Sequence, residues 1–136
     1  MILIVDTNVI ISAALRQSIT QDLIFNLAFQ LYTPEFVGDE IEKHKRDILN
    51  KSGYTEERFN SILSLIFSRI TIIPEDEYLS HKNEVLKFTP DKKDWPFLAL
   101  AKHLDAALWS YGSDLKKKQS VIKVFTTSDL IKLLEE

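Results

Sequence analysis

Four apolar residues, Ile2-Leu3-Ile4-Val5, run straight into Asp6-Thr7-Asn8, and a second apolar stretch begins at Val9. A short, β-branched, fully apolar run of this kind reads as a strand buried on both faces, as in parallel sheets. Its abrupt end at a carboxylate, a hydroxyl and an amide constrains the chain more than any other feature. In open α/β sheets, ligand-binding and catalytic groups collect just outside the carboxyl ends of strands. A charge at such an edge is costly to bury unless it is paired or coordinates a metal. Asp6 therefore needs a reason, and a divalent cation is the simplest one.

Downstream the pattern alternates. Residues 9–15 and 22–29 read as helices, with Thr20 as the N-cap of the second. Residues 31–33 form a brief strand stopped by Pro34, and 36–49 a charged amphipathic helix. Gly53 breaks the chain, and Thr55 opens a helix with apolar positions at Phe59, Ile62, Leu63, Leu65 and Ile66. A strand at 70–73 ends at Pro74; helices follow at 78–86 and 94–104, the latter with Pro96 in its first turn. Strands at 106–109 and 122–125 and a last helix capped by Ser128, running to Leu134, complete the chain. Strands alternating with helices imply a parallel sheet covered on both faces. The expectation is one three-layer α/β/α domain over residues 1–136, with a central parallel sheet of about five strands.

The composition narrows the chemistry. No Cys occurs among the 136 residues, which removes disulfides, thiolate chemistry and Cys-based zinc sites and fits a reducing cytoplasm. The N-terminal apolar run has no basic leader, so it reads as a core strand and not a signal peptide. No stretch approaches the roughly 18 apolar residues of a membrane span. The net charge of −3 gives no overall attraction to nucleic acid, so a nucleic-acid enzyme needs a local basic patch. Lys116-Lys117-Lys118 and Lys92-Lys93 are the candidates.

Four carboxylates fall at comparable places. Asp6 follows the first strand, and Glu40 lies in the helix after the second. Asp94 opens the helix before the 106–109 strand, and Asp114 lies in the loop after that strand. Strand carboxyl ends and the starts of following helices share one edge of a parallel sheet, so these acids can converge. Hard divalent cations prefer oxygen ligands, and phosphodiester hydrolysis uses them to activate water and neutralise charge on phosphate oxygens. Asp94 and Asp129 also stand where a helix-capping carboxylate would, and Asp129 is read as one; Asp91 is read as a turn residue after Pro90, and Asp39 and Glu42 as solvated. His44 lies one helical turn beyond Glu40, while His81 and His103 lack metal-ligand spacing. No G-x-S-x-G elbow and no glycine-rich phosphate loop is present.

Val5-Asp6-Thr7-Asn8-Val9, Glu40 within Asp39-Glu40-Ile41-Glu42-Lys43-His44, and Asp94-Trp95-Pro96-Phe97-Leu98-Ala99-Leu100-Ala101 together resemble the PIN-domain ribonucleases, of the toxin-like VapC type. Leu108-Trp109-Ser110, Asp114 and Lys123-Val124-Phe125-Thr126-Thr127-Ser128-Asp129-Leu130 continue the likeness through the whole chain. The resemblance implies a Mg²⁺- or Mn²⁺-dependent site of three or four acids that hydrolyses RNA, often as the toxin of a toxin–antitoxin pair and often as a homodimer. By position, Asp6, Glu40 and Asp94 would be metal ligands. Thr7 and Asn8 would orient Asp6 or contact phosphate, and Ser110 matches a small hydroxyl residue preceding the last acid. The family usually has an acid two residues after that hydroxyl, where this chain has Gly112; Asp114 would either substitute for it through a slightly long loop or match a second, less regular acid of the motif.

The expected function is thus a metal-dependent endoribonuclease with Asp6, Glu40, Asp94 and Asp114 at its centre. Lys116, Lys117 and Lys118 would hold RNA phosphates at its rim. The alternative is a degenerate PIN domain that binds RNA or a protein partner without cleavage. A DNA-directed structure-specific nuclease and a phosphatase with Asp6 as nucleophile stand further back; the latter usually wants a second Asp where Asn8 stands.

Overall fold

The computed structural model describes residues 1–15, 19–111 and 113–136, the side chains of 113 and 114 excepted. Strands β1 (Ile2–Val5), β2 (Gln30–Pro34), β3 (Ile70–Ile73), β4 (Ala107–Trp109) and β5 (Val124–Phe125) form one sheet. They lie in the order β3-β2-β1-β4-β5, and every neighbouring pair is parallel. The parallel sheet of the sequence reading is therefore present. Leu3, Ile4 and Val5 are all fully buried, as a central strand covered on both faces requires. The chain winds from β1 out to β3 and then returns to the other side of β1 for β4 and β5. That reversal falls between β1 and β4, and the crevice outside their carboxyl ends is where such sheets take ligands.

The helices are α1 (Thr7–Leu15), α2 (Ile19–Ile24), α3 (Phe36–Ser52), α4 (Glu56–Phe67), α5 (Glu75–Tyr78), α6 (Lys82–Leu86), α7 (Trp95–Leu104), α8 (Ser113–Lys117) and α9 (Thr127–Leu134). Helix α7 is buried continuously from Pro96 to Ala101. A helix apolar all round belongs inside, and α7 packs against β1, β2 and β4. Gly53 ends α3 in the left-handed region (φ 74°), donating its N–H to Leu49, a conformation glycine takes without strain. None of the helices among the described residues is long and apolar enough to cross a membrane.

Several boundaries differ from those read in the sequence. Helix α2 spans Ile19–Ile24, not 22–29. Asn26 ends it by taking the Ala28 N–H on its side-chain oxygen at 2.8 Å, a local bond that competes with helix continuation. Thr20 is not an N-cap; it lies inside α2, and its hydroxyl meets Tyr111 Oη at 2.5 Å. The expected 78–86 helix is broken into the end of α5, a 3₁₀ turn at Leu79–His81, and α6. Thr126, not Ser128, caps α9, in a reciprocal box with Asp129. The last strand is confined to Val124–Phe125. Ile122 instead belongs to a turn held by Gln119, whose amide donates to the Leu115 and Ile122 carbonyls and accepts from Ile122 N–H.

Candidate functional site

Asp6 stands one residue past β1. Its N–H donates to the Trp109 carbonyl at 3.0 Å, and its carbonyl accepts from Val9 and Ile10 at 3.1 and 3.2 Å. The residue thus closes a strand and opens α1. Its buried side chain accepts from Ser110 Oγ at 2.6 Å and from the backbone N–H groups of Thr7 and Asn8. Burial pushes the Asp6 carboxyl above its ordinary range, and those three donors oppose the shift without cancelling it. Ser110, fully buried, sits at the matching end of β4. The two residues therefore meet at the reversal point of the sheet.

Glu40 comes from α3, where buried Val37 and Ile41 fix that helix against the core. Glu40 itself is half-buried, and its Oε1 accepts from Thr7 Oγ1 at 2.5 Å. Thr7 consequently serves both acids, Asp6 through its backbone and Glu40 through its hydroxyl. Asp94 ends a 3₁₀ turn (Lys92–Asp94) and holds the N-cap position of α7, yet its side chain makes no capping hydrogen bond. Its carboxyl is pushed up to about 6, first by burial and then by the charges of Asp6, Asp91 and Glu40. An acid that could cap and does not, crowded by other acids, is a candidate functional group.

Asp6, Thr7, Asn8, Glu40 and Asp94 line one cavity of about 380 Å³. His44 lines it too, one turn beyond Glu40 on α3. Asp91 does as well, a placement its turn-like sequence context did not announce, although it also takes the Lys93 N–H at 3.0 Å. Asp114 belongs to α8, with its side chain outside the described residues, as is Gly112; the adjoining Leu115 is buried and lines the cavity. Lys116 ion-pairs with Asp129 of α9 and lines a different groove, beside Lys123 and Lys132. Lys117 and Lys118 are exposed.

The donor set of this cavity is oxygen-rich and negatively charged, the chemistry that hard divalent cations select. Among the described residues, no three His, Cys, Asp or Glu side chains stand close enough to grip one ion between them. Mg²⁺ makes no such demand, because it commonly keeps several waters and takes one or two protein carboxylates. Carboxylates whose ionisation is disfavoured by burial and by neighbouring acids are relieved by a cation. These residues fit such a group.

Fold and site together define an α/β protein with an acid-lined crevice at its topological reversal. Residues 4–128 match the PIN domain family, and the chain belongs to it. Among solved structures, it resembles VapBC2 from Rickettsia felis bound to a DNA fragment from its promoter (TM-score 0.67, 18% identity, covering 93% of this chain and 98% of that one). It is similar also to VapBC-1 from nontypeable Haemophilus influenzae (TM-score 0.66, 16% identity, covering 94% and 99%). Likeness at these identities concerns the fold. A comparison with curated protein sequences finds no match.

Proposed function

We propose that this protein is a metal-dependent endoribonuclease. The observation that carries the reading is the convergence of Asp6, Glu40 and Asp94 in one cavity at the sheet reversal, with Asp94 uncapped and its carboxyl raised to about 6. Asp6 and Asp94 would hold the principal Mg²⁺ or Mn²⁺ ion, with Glu40 and Asp114 completing the site. When bound, the ion supplies Lewis acidity, activating water and neutralising charge on phosphate oxygens. The chain's own groups prepare the ligands. Ser110 Oγ–H and two backbone amides fix the Asp6 carboxylate, and the Thr7 hydroxyl fixes Glu40. Asn8, exposed at the cavity edge, is placed to meet a phosphate.

The VapBC assemblies that share this fold support an antitoxin as partner, and a homodimer is part of the proposed assembly. A second reading, a domain that binds RNA without cutting it, draws on Gly112 standing where the family usually has an acid. One assay separates the two. Mixed-sequence RNA is incubated with the protein and Mn²⁺, Mg²⁺ or EDTA, alongside Asp6→Asn and Asp94→Asn. Cleavage by the unaltered chain alone, and only with metal, is the expected result. A metal-induced rise in melting temperature with no cleavage of any RNA would leave the non-cleaving binder in its place.

A further inference from the structure

The acid cavity provides a place for reaction, but a crowd of carboxylates in a chain of net charge −3 repels a polyanion. Cations must therefore stand close by. Of the Lys116–118 run, Lys116 is committed to Asp129 and lines a different groove. The cavity's immediate neighbour supplies such cations. A groove of about 650 Å³ shares Glu40 and His44 with the cavity, so the two adjoin along α3. Its walls bring together Lys43 of α3, Lys82 of α6, Lys93 of the 3₁₀ turn and Trp95 of α7. Asp39 and Glu75 also line it, so its field is mixed.

Two observations give this groove a direction. Among the described residues, Lys45, Lys51, Lys102 and Lys116 are ion-paired with carboxylates, whereas Lys43, Lys82 and Lys93 are not. Trp95, the residue after Asp94, packs against Tyr78 with ring centroids 5.8 Å apart, and Lys82 Nζ lies 4.6 Å from its indole centroid. An indole with an ammonium against it offers one nucleotide both of its needs. Trp95 is half-buried and Lys82 stands over its ring, so a base stacks on the ring as the ammonium moves off it to meet the flanking phosphate. Base stacking on a side chain requires an unstacked base, which a single strand presents and a duplex does not.

We propose that this groove is the path by which single-stranded RNA reaches the acid cavity, with one base stacked on Trp95 and the flanking phosphates held by Lys43, Lys82 and Lys93. The proposal rests on the ribonuclease reading and assigns that site its substrate track. Fluorescence tests it directly. The chain has two Trp, and Trp109 is fully buried, so Trp95 reports on the groove. Titrating the full chain in EDTA with a short single-stranded oligouridine should give saturable quenching. Polarisation of a labelled oligouridine should show affinity falling about tenfold in Trp95→Leu. The loss should be smaller in Trp95→Phe, which preserves packing on Tyr78. In Lys82→Ala/Lys93→Ala, the slope of log affinity against log salt should flatten by about 1.4, two phosphate contacts' worth on a single strand.

Absence of quenching, or unchanged affinity and slope in these variants, would overturn the track. Quenching by a protein partner but by no RNA would overturn it too. The two readings fail separately. RNA binding that depends on Trp95 and the lysines, with no metal supporting cleavage, removes the nuclease and keeps the track. Cleavage by Lys82→Ala/Lys93→Ala with unaltered KM removes the track and keeps the nuclease.

Discussion

The N-termini of α7 and α9 each carry an aspartate, and the fold treats the two in opposite ways. Asp129 takes the Thr126 N–H at 2.9 Å, completes a capping box and pairs with Lys116, and its carboxyl is held down at about 2, chiefly by that lysine. Asp94 caps nothing, faces Asp6, Asp91 and Glu40, and is pushed up to about 6, chiefly by burial. Sequence context alone made both look like caps. The contrast teaches that position at a helix start does not decide a carboxylate's role. Its surroundings do, and an acid denied partners within the chain retains capacity for an external one.

The sharpest way to break this comparison is substitution. Asp94→Asn and Asp6→Asn should each reduce RNA cleavage to background. The metal-free Asp94→Asn protein should nevertheless be more stable by about 1 kcal/mol, the pKa shift being discounted for partial exposure. Denaturant unfolding without metal checks this, and a loss of stability would mean that Asp94 is structural after all. Arg69 supplies the opposite case on a third helix end. It donates to the Ile24, Asn26 and Phe29 carbonyls, each at 3.2 Å, and so closes the end of α2. Arg69→Ala should cost about 3 kcal/mol, from the lost charge-assisted bonds and the stranded carbonyls, with cleavage per folded molecule unchanged. Asp129→Ala should cost about 1 kcal/mol, from its half of the capping box with Thr126, and leave cleavage unaltered.

Titration sharpens the contrast further, with opposite signs. Folded Asp94 keeps its proton up to about pH 6, against an ordinary value of 3.8. The native state therefore binds more protons than the unfolded chain between those values, and Asp94's contribution to stability falls as pH rises through them. Asp129 has a lowered value, so its contribution is present above 3.8 and is lost as pH falls toward about 2. Melting temperatures from pH 2 to 7 should show Asp94→Asn flattening only the upper part of the profile and Asp129→Asn only the lower. Mg²⁺ or Mn²⁺ should flatten the upper part in the unaltered chain, because a cation favours ionised acids.

The sequence made some of this legible and hid the rest for physical reasons. Strand β1 and Asp6 were readable because a doubly covered strand must be apolar throughout and a carboxylate at its end stands out. Glu40 and Asp94 were readable as members of an ordered pattern. That Thr7 would grip Glu40 as well as Asp6 was not, because the contact depends on how α1 and α3 meet. The end of α2 was misjudged because an Asn26 side chain and a distant Arg69 outbid helical periodicity. The groove of Lys43, Lys82, Lys93 and Trp95 draws on four separate segments, and no spacing along the chain announces it. Lys116, conspicuous only as one of a string of charges, pairs with Asp129 across space, which spacing along the chain does not announce either.

Because β1 is flanked by β2 and β4, and because Ser110 reaches Asp6 across 104 residues, the crevice cannot exist in a partly made chain. At roughly 5–20 residues per second of synthesis, Asp6 leaves the ribosome seconds before the Trp109 carbonyl and Ser110 hydroxyl that hold it in place. Any chemistry that depends on the held Asp6 carboxylate begins only after residue 110 has been joined to the chain.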